Sequence, residues 1–96
     1  MTNIISQLDK AFDSRVRLGI MSILSVNESA DFNTMKQLME LTDGNLASHL
    51  KALESIEYIQ SSKQFIGRKP NTKYSVTKLG KDSFKKHLDA LEQLIR

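Results

Sequence analysis

The chain contains no cysteine, and this absence removes several classes of function at once. It can form no disulfide, no thiolate metal site and no cysteine nucleophile, and its composition is compatible with a reducing compartment. No apolar run approaches the ~20 residues that a membrane-spanning helix needs. The amphipathic segment 1–12 also differs from a secretory signal. We therefore expect a cytoplasmic protein that makes no membrane contact.

Catalytic arrangements are missing as well. The sequence has no Ser/His/Asp set at usable spacing, no phosphate-binding loop and no cluster of carboxylates. Its two histidines, His49 and His87, lie far apart and have no partners at metal-ligand spacing. We expect no enzyme activity, no metal site and no cofactor.

Proline and aromatic residues are scarce: the 96 residues include one proline, and aromatics make up 6%. Leucine, isoleucine and methionine must therefore fill the core, and a hydrophobic fraction of 40% is typical of a folded globular protein. This length predicts one domain over residues 1–96, which is too small for an active-site cleft between domains.

Acidic residues are absent from residues 63–73, although the net charge of the whole chain is only +3. This stretch holds the cations Lys63, Arg68, Lys69 and Lys73, interleaved with the hydrogen-bonding residues Gln64, Asn71 and Thr72. A cationic run alone is commonly just a solvated surface. Two adjacent cations at a turn add nothing to its folding, however, so we predict that this stretch contacts phosphate groups.

Apolar residues recur at helical spacing in five segments, which predicts the order helix, helix, short strand, helix, helix, strand, strand, helix. The first helix is expected from Ile4 to Phe12, and Ser14 is expected to cap the second. Asn33 is expected to cap the third. The inward-facing residues of the third helix are expected to be Met35, Leu38 and Met39. The fold class is therefore mainly α with a small β-hairpin.

The third and fourth helices, within residues 33–56, form a predicted helix-turn-helix. In the fourth helix, residues 43–56, the apolar spacing of Leu46, Leu50 and Leu53 turns these side chains to the core. Polar side chains then face outward, where asparagine can pair with adenine and serine or histidine can contact bases or phosphates. The predicted DNA contacts of this helix are Thr42, Gly44, Asn45, Ser48, His49 and Lys51.

The periodicity of this fourth helix allows a second interpretation. A polar side that only faces water explains it equally well. Asp43 is expected to cap the helix or to interact with its dipole, because DNA repels a carboxylate.

A basic hairpin over residues 59–77 follows the helix-turn-helix. Its strands are expected at 59–63 and 73–77, and the segment 67–71 has turn chemistry because glycine tolerates unusual dihedral angles and proline fixes one. A helix that fits the major groove, followed by a cationic hairpin that straddles adjacent phosphates, is what reading a DNA duplex requires.

Both ends of the chain carry apolar stripes, one in the first helix and one in the last helix, residues 78–95. Exposing both would create a sticky surface, whereas pairing two copies about a two-fold axis covers them. Pairing also sets two recognition helices ~34–36 Å apart, about one DNA turn. The alternative is a monomer in which the stripes pack onto their own domain. The predicted homodimer interface consists of Ile4, Ile5, Leu8, Phe12, Phe84, Leu88, Leu91 and Ile95. His87 is expected at its edge or in solvent.

Three motifs together resemble the winged helix-turn-helix transcriptional regulators related to the MarR and ArsR families. They are R.R..I...L at residues 15–24, GNL..HL..LE at 44–54 and GR.P.T.Y..T..G at 67–80. The resemblance covers nearly the whole chain. It implies a homodimer that represses or activates transcription by binding a near-palindromic operator. Metal-sensing relatives carry cysteine and histidine ligand sets that this chain lacks, and little chain is left for the helices that enclose an effector.

The main alternative is a winged-helix module that binds another protein and has no specific affinity for DNA, since one fold can serve several functions. RNA binding is a weaker variant, because no stacking aromatic residues are expected on the exposed face.

Overall fold

Four α-helices and a three-stranded antiparallel sheet make up the computed structural model, which describes residues 4–96. The helices are α1 (Arg15–Val26), α2 (Phe32–Met39), α3 (Asp43–Ser55) and α4 (Lys78–Ile95). The strands are β1 (Ala30–Asp31), β2 (Ile59–Ile66) and β3 (Lys69–Val76), and β3 lies between the other two. This arrangement confirms the predicted winged-helix fold. None of the helices described is long and apolar enough to cross a membrane.

Every α-helix begins at a side chain that accepts a hydrogen bond from the backbone N–H three residues later, which satisfies one otherwise unpaired donor. The four capping residues are Ser14, Asp31, Thr42 and Thr77. The prediction for Ser14 is confirmed. Asn33 is not a cap, because Asp31 accepts from Thr34 and starts α2 earlier. Asp43 is not the cap but the first residue of α3, so its carboxylate lies at the positive end of the helix dipole, the other role expected of it. It also forms an ion pair of 2.7 Å with Lys36.

The predicted first helix is instead two short 3-10 helices, Ile4–Gln7 and Lys10–Phe12. Asp9 separates them. Its carboxylate accepts from the N–H of Ala11, and its own N–H donates to Nδ1 of His87 at 3.0 Å. Because that N–H bonds to a distant side chain, it is not available to continue a helix.

The core lies between the helices and the sheet. Leu46, Leu50 and Leu53 are almost completely buried, as their spacing predicted. Leu38 is 66% exposed, contrary to expectation. The inward stripe of α2 passes through Met35 and Met39, one turn apart, so Leu38 lies to the side of it.

His87 belongs to this core, although it was expected at the surface. Its side chain is 4% exposed, and its ring meets that of Phe12 edge-on with centroids 5.0 Å apart. The hydrogen bond from the N–H of Asp9 satisfies Nδ1 and makes the burial tolerable. The hydroxyl of Tyr58 donates to the carboxylate of the same Asp9 at 2.6 Å.

The first turn of α4 packs against the backbone of Tyr58. The carbonyl oxygen of Tyr58 accepts from the N–H of Thr77 at 3.0 Å. The hydroxyl of Thr77 donates chiefly to the carbonyl oxygen of Glu57 at 2.6 Å and lies 3.2 Å from that of Tyr58. Gly80, in the first turn of α4, packs against the carbonyl group of Tyr58, and a Cβ at this position would overlap it. Only glycine allows the helix to approach the chain so closely.

We predict that Gly80→Ala lowers the free energy of unfolding by about 2 kcal/mol or more, because the backbone of Tyr58 or α4 must shift. Denaturant unfolding measures this. Gly44→Ala is the matched control, since a Cβ at Gly44 meets nothing within 4 Å. The control should leave stability unchanged or raise it by up to about 1 kcal/mol. Equal effects of the two substitutions would contradict this close approach.

Candidate nucleic-acid interface

The polar side of α3 is exposed over most of its length. Asn45, Ser48 and Lys51 are exposed on this helix. Gly44 is also exposed, and the space in front of it is open. The hydroxyl of Thr42 accepts from the N–H of Asn45 at 3.2 Å, so it serves the helix cap. The helix therefore presents one amide, one hydroxyl and one cation beside small residues that permit close approach.

His49 differs from its neighbours on α3. It is half-buried, and its Nδ1 accepts a hydrogen bond of 3.0 Å from Nε of Arg17 in α1. Burial, followed by the charge of Arg17, lowers the pKa of His49. The imidazole is therefore neutral at pH 7, and Nε2 carries its proton because Nδ1 is an acceptor.

The hairpin is longer and tighter than predicted. We call residues 59–76 the wing: its two strands are eight residues each, and they are joined at Gly67 and Arg68. Gly67 has a φ of +65°, which a two-residue hairpin turn favours. Lys69, Pro70 and Asn71 belong to β3, although they were expected in the turn. Strand β1 pairs only with Lys73 and Tyr74, so the edge beside Pro70 is open and proline's missing N–H leaves no partner unsatisfied there.

The wing divides its cations between two faces and a tip. Directly paired residues share a face, and successive residues alternate. Lys63 therefore lies on the face that continues into the core through Ile59, whereas Lys69 and Lys73 lie on the opposite face. Arg68 is at the tip, and all four cations are exposed.

The three polar residues of the wing that were predicted to contact DNA are less accessible than its cations. Gln64, Asn71 and Thr72 are all half-buried. Nδ2 of Asn71 is buried, and the side chain of Asn71 interacts with the carboxylate of Asp31, whose pKa it helps to lower. Its amide donor therefore does not face a ligand in this conformation, which argues against the predicted DNA contact by this atom.

The cations of the wing are not neutralised by acids. Of the four ion pairs within residues 4–96, two lie in α4, one joins Glu92 of α4 to Arg96 just after it, and the fourth joins Lys36 to Asp43. No cation of the wing is within 4.0 Å of a carboxylate of the described chain. Lys73 affects the carboxylate of Asp31 only at longer range. Hydrogen bonds from Thr34 are the main cause of the lowered pKa of Asp31, and the positive charge of Lys73 lowers that pKa further. The wing therefore presents uncompensated positive charge.

The sequence patterns missed two features of this surface. Phe65 and Ile66, beside the tip of the wing, are 74% and 63% exposed. The side chain of Arg17 contacts the side of α3 by its hydrogen bond to His49. Alternation places Phe65 and Ile66 on opposite faces of the hairpin, so it could not have predicted that both are exposed. No local pattern pairs Arg17 with His49, because they are 32 positions apart on different helices.

The residues predicted for a dimer interface are not all on the surface. Ile5, Leu88 and Ile95 are 67%, 45% and 84% exposed, and Leu8 and Leu91 are half-buried. The side chain of Ile4 lies outside the described part of the chain. Two members of the set require correction: Phe12 and Phe84, which are 2% and 6% exposed. Their rings pack together within the core with centroids 5.4 Å apart, so neither is free for a partner.

Acidic and histidine side chains do not gather into a metal site. In the range 4–96, no group of three or more such residues is arranged to hold a metal ion.

Known proteins resemble this chain in sequence and in fold. A family model described as a winged helix DNA-binding domain matches residues 16–95. An uncharacterised protein of Methanocaldococcus jannaschii is 36% identical over 85 residues, which cover 88% of this chain and 92% of that protein.

Similar solved structures include two regulators. The transcriptional regulator homologue of Pyrococcus horikoshii has a TM-score of 0.77 and 30% identity, covering 94% of each chain. A proposed transcriptional regulator of Salmonella typhimurium, ytfH, has a TM-score of 0.72 and 27% identity, covering 90% of this chain and 75% of its own. Overoxidised AbfR bound to DNA shares the fold alone, with a TM-score of 0.76 at 14% identity over 95% of this chain and 66% of its own.

The lowered pKa of His49 predicts how stability depends on pH. Above the ordinary value of 6.5 the imidazole is neutral in both the folded and the unfolded state. Below it, the unfolded chain takes up a proton more readily, so the free energy of unfolding falls until the folded pKa is passed. Between about pH 8 and about pH 5, His49→Gln should reduce this fall. Denaturant unfolding across this range tests the prediction, and equal pH dependence of the two proteins would refute it.

Proposed function

Because the chain belongs to the winged helix DNA-binding domain family, we propose that it is a sequence-specific, double-stranded DNA-binding transcriptional regulator that acts as a homodimer. In this proposal α3 enters the major groove, and the basic segment 63–73 contacts the flanking backbone or the minor groove. The observation that carries it is the uncompensated charge of the wing beside the exposed polar side of α3. No catalytic residue and no cofactor is assigned.

The wing is fixed relative to α3, so both can meet one duplex together. The hydroxyl of Ser61 donates to the carboxylate of Glu54 at 2.6 Å, which links the base of the wing to the last turn of α3. Buried Ile59 and Leu53 anchor the same junction in the core. A rigid link of this kind lets phosphate contacts by the wing orient the helix that reads the bases.

Each part of the interface has a separate task. Asn45 and Ser48 are proposed to read base edges in the major groove, and Gly44 and Ala47 allow the helix to approach closely. Arg68 and the lysines of the wing are proposed to neutralise phosphates. Because neutralised phosphates release counterions, the affinity should fall steeply with salt.

The homodimer is proposed from the surface of α4. At 18 residues this helix is about 27 Å long, and the protein measures 57 × 25 × 22 Å. Leu88 and Ile95 remain exposed along it, and Ile5 is exposed on the adjoining 3-10 helix, which packs against α4. A second copy related by a two-fold axis would bury these side chains. The same axis would present two α3 helices to successive major grooves of a near-palindromic operator.

One observation favours the alternative, a module that binds protein without specific DNA binding. Phe65 and Ile66 are large, apolar and exposed at the tip of the wing, which is a surface that protein partners can use. This alternative requires duplex binding to remain weak even at low salt. It also requires that removing the wing cations has no effect on partner binding.

We predict that selection of duplexes from a random pool enriches an inverted repeat. On that duplex, Asn45→Ala should relax base preference at one position of each half-site, by about 1–3 kcal/mol of discrimination. Arg68→Ala should weaken binding to every sequence and reduce the salt slope by about 0.9 for each phosphate that is no longer neutralised. Titrations of both variants at several salt concentrations measure the two effects.

Lys81→Ala is the charge-matched control, because Lys81 is an exposed cation of α4 with no ion pair within residues 4–96. It should bind as the wild type does. Failure to enrich any sequence would overturn the proposed function. Equal, sequence-independent reductions of affinity in the Asn45 and Arg68 variants would overturn the division of tasks.

We further predict that Leu88→Lys converts the homodimer to a monomer, because it buries a charge in the interface. Sedimentation equilibrium measures the change, and affinity for the inverted repeat should fall with it. Leu38→Lys is the matched control, since Leu38 is an exposed leucine of α2. A monomeric wild type, or equal dissociation of both variants, would contradict the proposed interface.

A further inference from the structure

We infer that Arg17 is an additional phosphate-binding residue beside α3 and that His49 holds its guanidinium in place. The inference rests on the proposed function, because it adds a contact to the same DNA interface. It also gives His49 a positioning role in place of the direct contact with bases or phosphates that the sequence pattern predicted.

The position of Arg17 follows from the packing of α1 against α3. Arg17 lies in the first turn of α1, and its Nε donates to Nδ1 of His49 at 3.0 Å. His49 is one turn after Asn45 on α3, so the two share a side of the helix. The guanidinium is therefore held next to the side of α3 that is proposed to enter the groove, where the DNA backbone passes.

The hydrogen bond to His49 leaves the other end of the guanidinium free. Its two terminal nitrogens carry four N–H donors in one plane. Within the described chain these donors have no hydrogen-bond partner, and no carboxylate lies within 4.0 Å. Such a planar fork binds two oxygens of one phosphate, which a lysine ammonium cannot do in the same way.

Electrostatics within the fold argues against a purely stabilising role for Arg17. Arg15 and Arg17 both lie in the first turn of α1, and that turn contains no acid. The positive end of a helix dipole disfavours cations, and no carboxylate of residues 4–96 offsets them. A phosphate group of bound DNA would supply the missing negative charge.

His49 acts in this arrangement through Arg17 and is a positioning residue. Its Nδ1 is occupied by the arginine, so only Nε2 remains for any other contact. Removal of the acceptor should free the arginine side chain and weaken binding to all sequences alike. Base reading by His49 would instead change the preferred base at one position.

The first test compares Arg17→Ala with Lys81→Ala on the selected duplex. Arg17→Ala should weaken binding about tenfold per half-site at low salt and reduce the salt slope by about 0.9 per half-site, equally on all sequences. Lys81→Ala should change neither. Arg17→Lys keeps the charge but lacks the fork, and should bind between the wild type and Arg17→Ala. Thermal unfolding of each variant verifies that it is folded.

The second test addresses His49 by a double-mutant cycle. His49→Ala should weaken binding without changing base preference, and His49→Gln should restore much of the affinity because its amide oxygen accepts a hydrogen bond. In the Arg17→Ala background, His49→Ala should have little further effect. Additive reductions of affinity, or an altered base preference in His49→Ala, would overturn the positioning role.

Two outcomes separate this inference from the proposed function. Specific binding by the wild type with no change in Arg17→Ala overturns the phosphate contact and leaves the proposed function standing. Absence of duplex binding by the wild type overturns both.

Discussion

Tyr58 connects the three parts of the molecule that a DNA-binding protein of this kind must hold together. Its carbonyl oxygen accepts a hydrogen bond from the N–H of Thr77, the cap of α4, and its hydroxyl donates to Asp9. Burial, with the bond to Asp9, raises the pKa of Tyr58, so the hydroxyl keeps the proton that it donates. Helix α3 ends three residues before Tyr58, and β2 begins one residue after it. The directions of α3, the wing and α4 are therefore set around one residue, and Gly80 allows the approach that this requires.

The distribution of charge follows from the same division of the chain. On α4 and just after it, Lys78, Lys85 and Arg96 each pair with an acid four residues away, whereas Lys81 and Lys86 have no such partner within residues 4–96. On the wing and near the start of α1, cations have no such partners within the described chain. Unpaired cations cost folding energy through mutual repulsion, so their concentration on one region indicates a ligand that supplies negative charge. The net charge of +3 is a sum over the whole chain and does not reveal this uneven distribution of unpaired cations.

Local patterns predicted the fold and long-range contacts decided the exceptions. Leu46, Leu50 and Leu53 are buried as expected because helical spacing depends only on neighbours in sequence. The burial of His87 could not be predicted in this way, since its hydrogen bond comes from Asp9, 78 positions away. Pro70 was expected in the turn but lies in β3. Proline fits there because β1 does not extend beside it, so no neighbouring strand needs the N–H that proline lacks. The contacts of α3 and the wing with DNA are predictions based on exposed polar side chains and unpaired cations.

The pairing of His49 with Arg17 limits how much sequence information α3 can read. With Nδ1 of His49 occupied, Asn45 and Ser48 are the uncommitted polar, uncharged side chains with which one helix is proposed to read bases. Each good base contact contributes about 1–3 kcal/mol of discrimination, so one half-site alone gives modest specificity. In the proposed homodimer, a second half-site read by a second copy would multiply that discrimination, and phosphate contacts that fix the spacing of the helices would make it depend on DNA shape. The small number of uncommitted polar side chains on α3 therefore supports the proposal that specificity depends on pairing two copies.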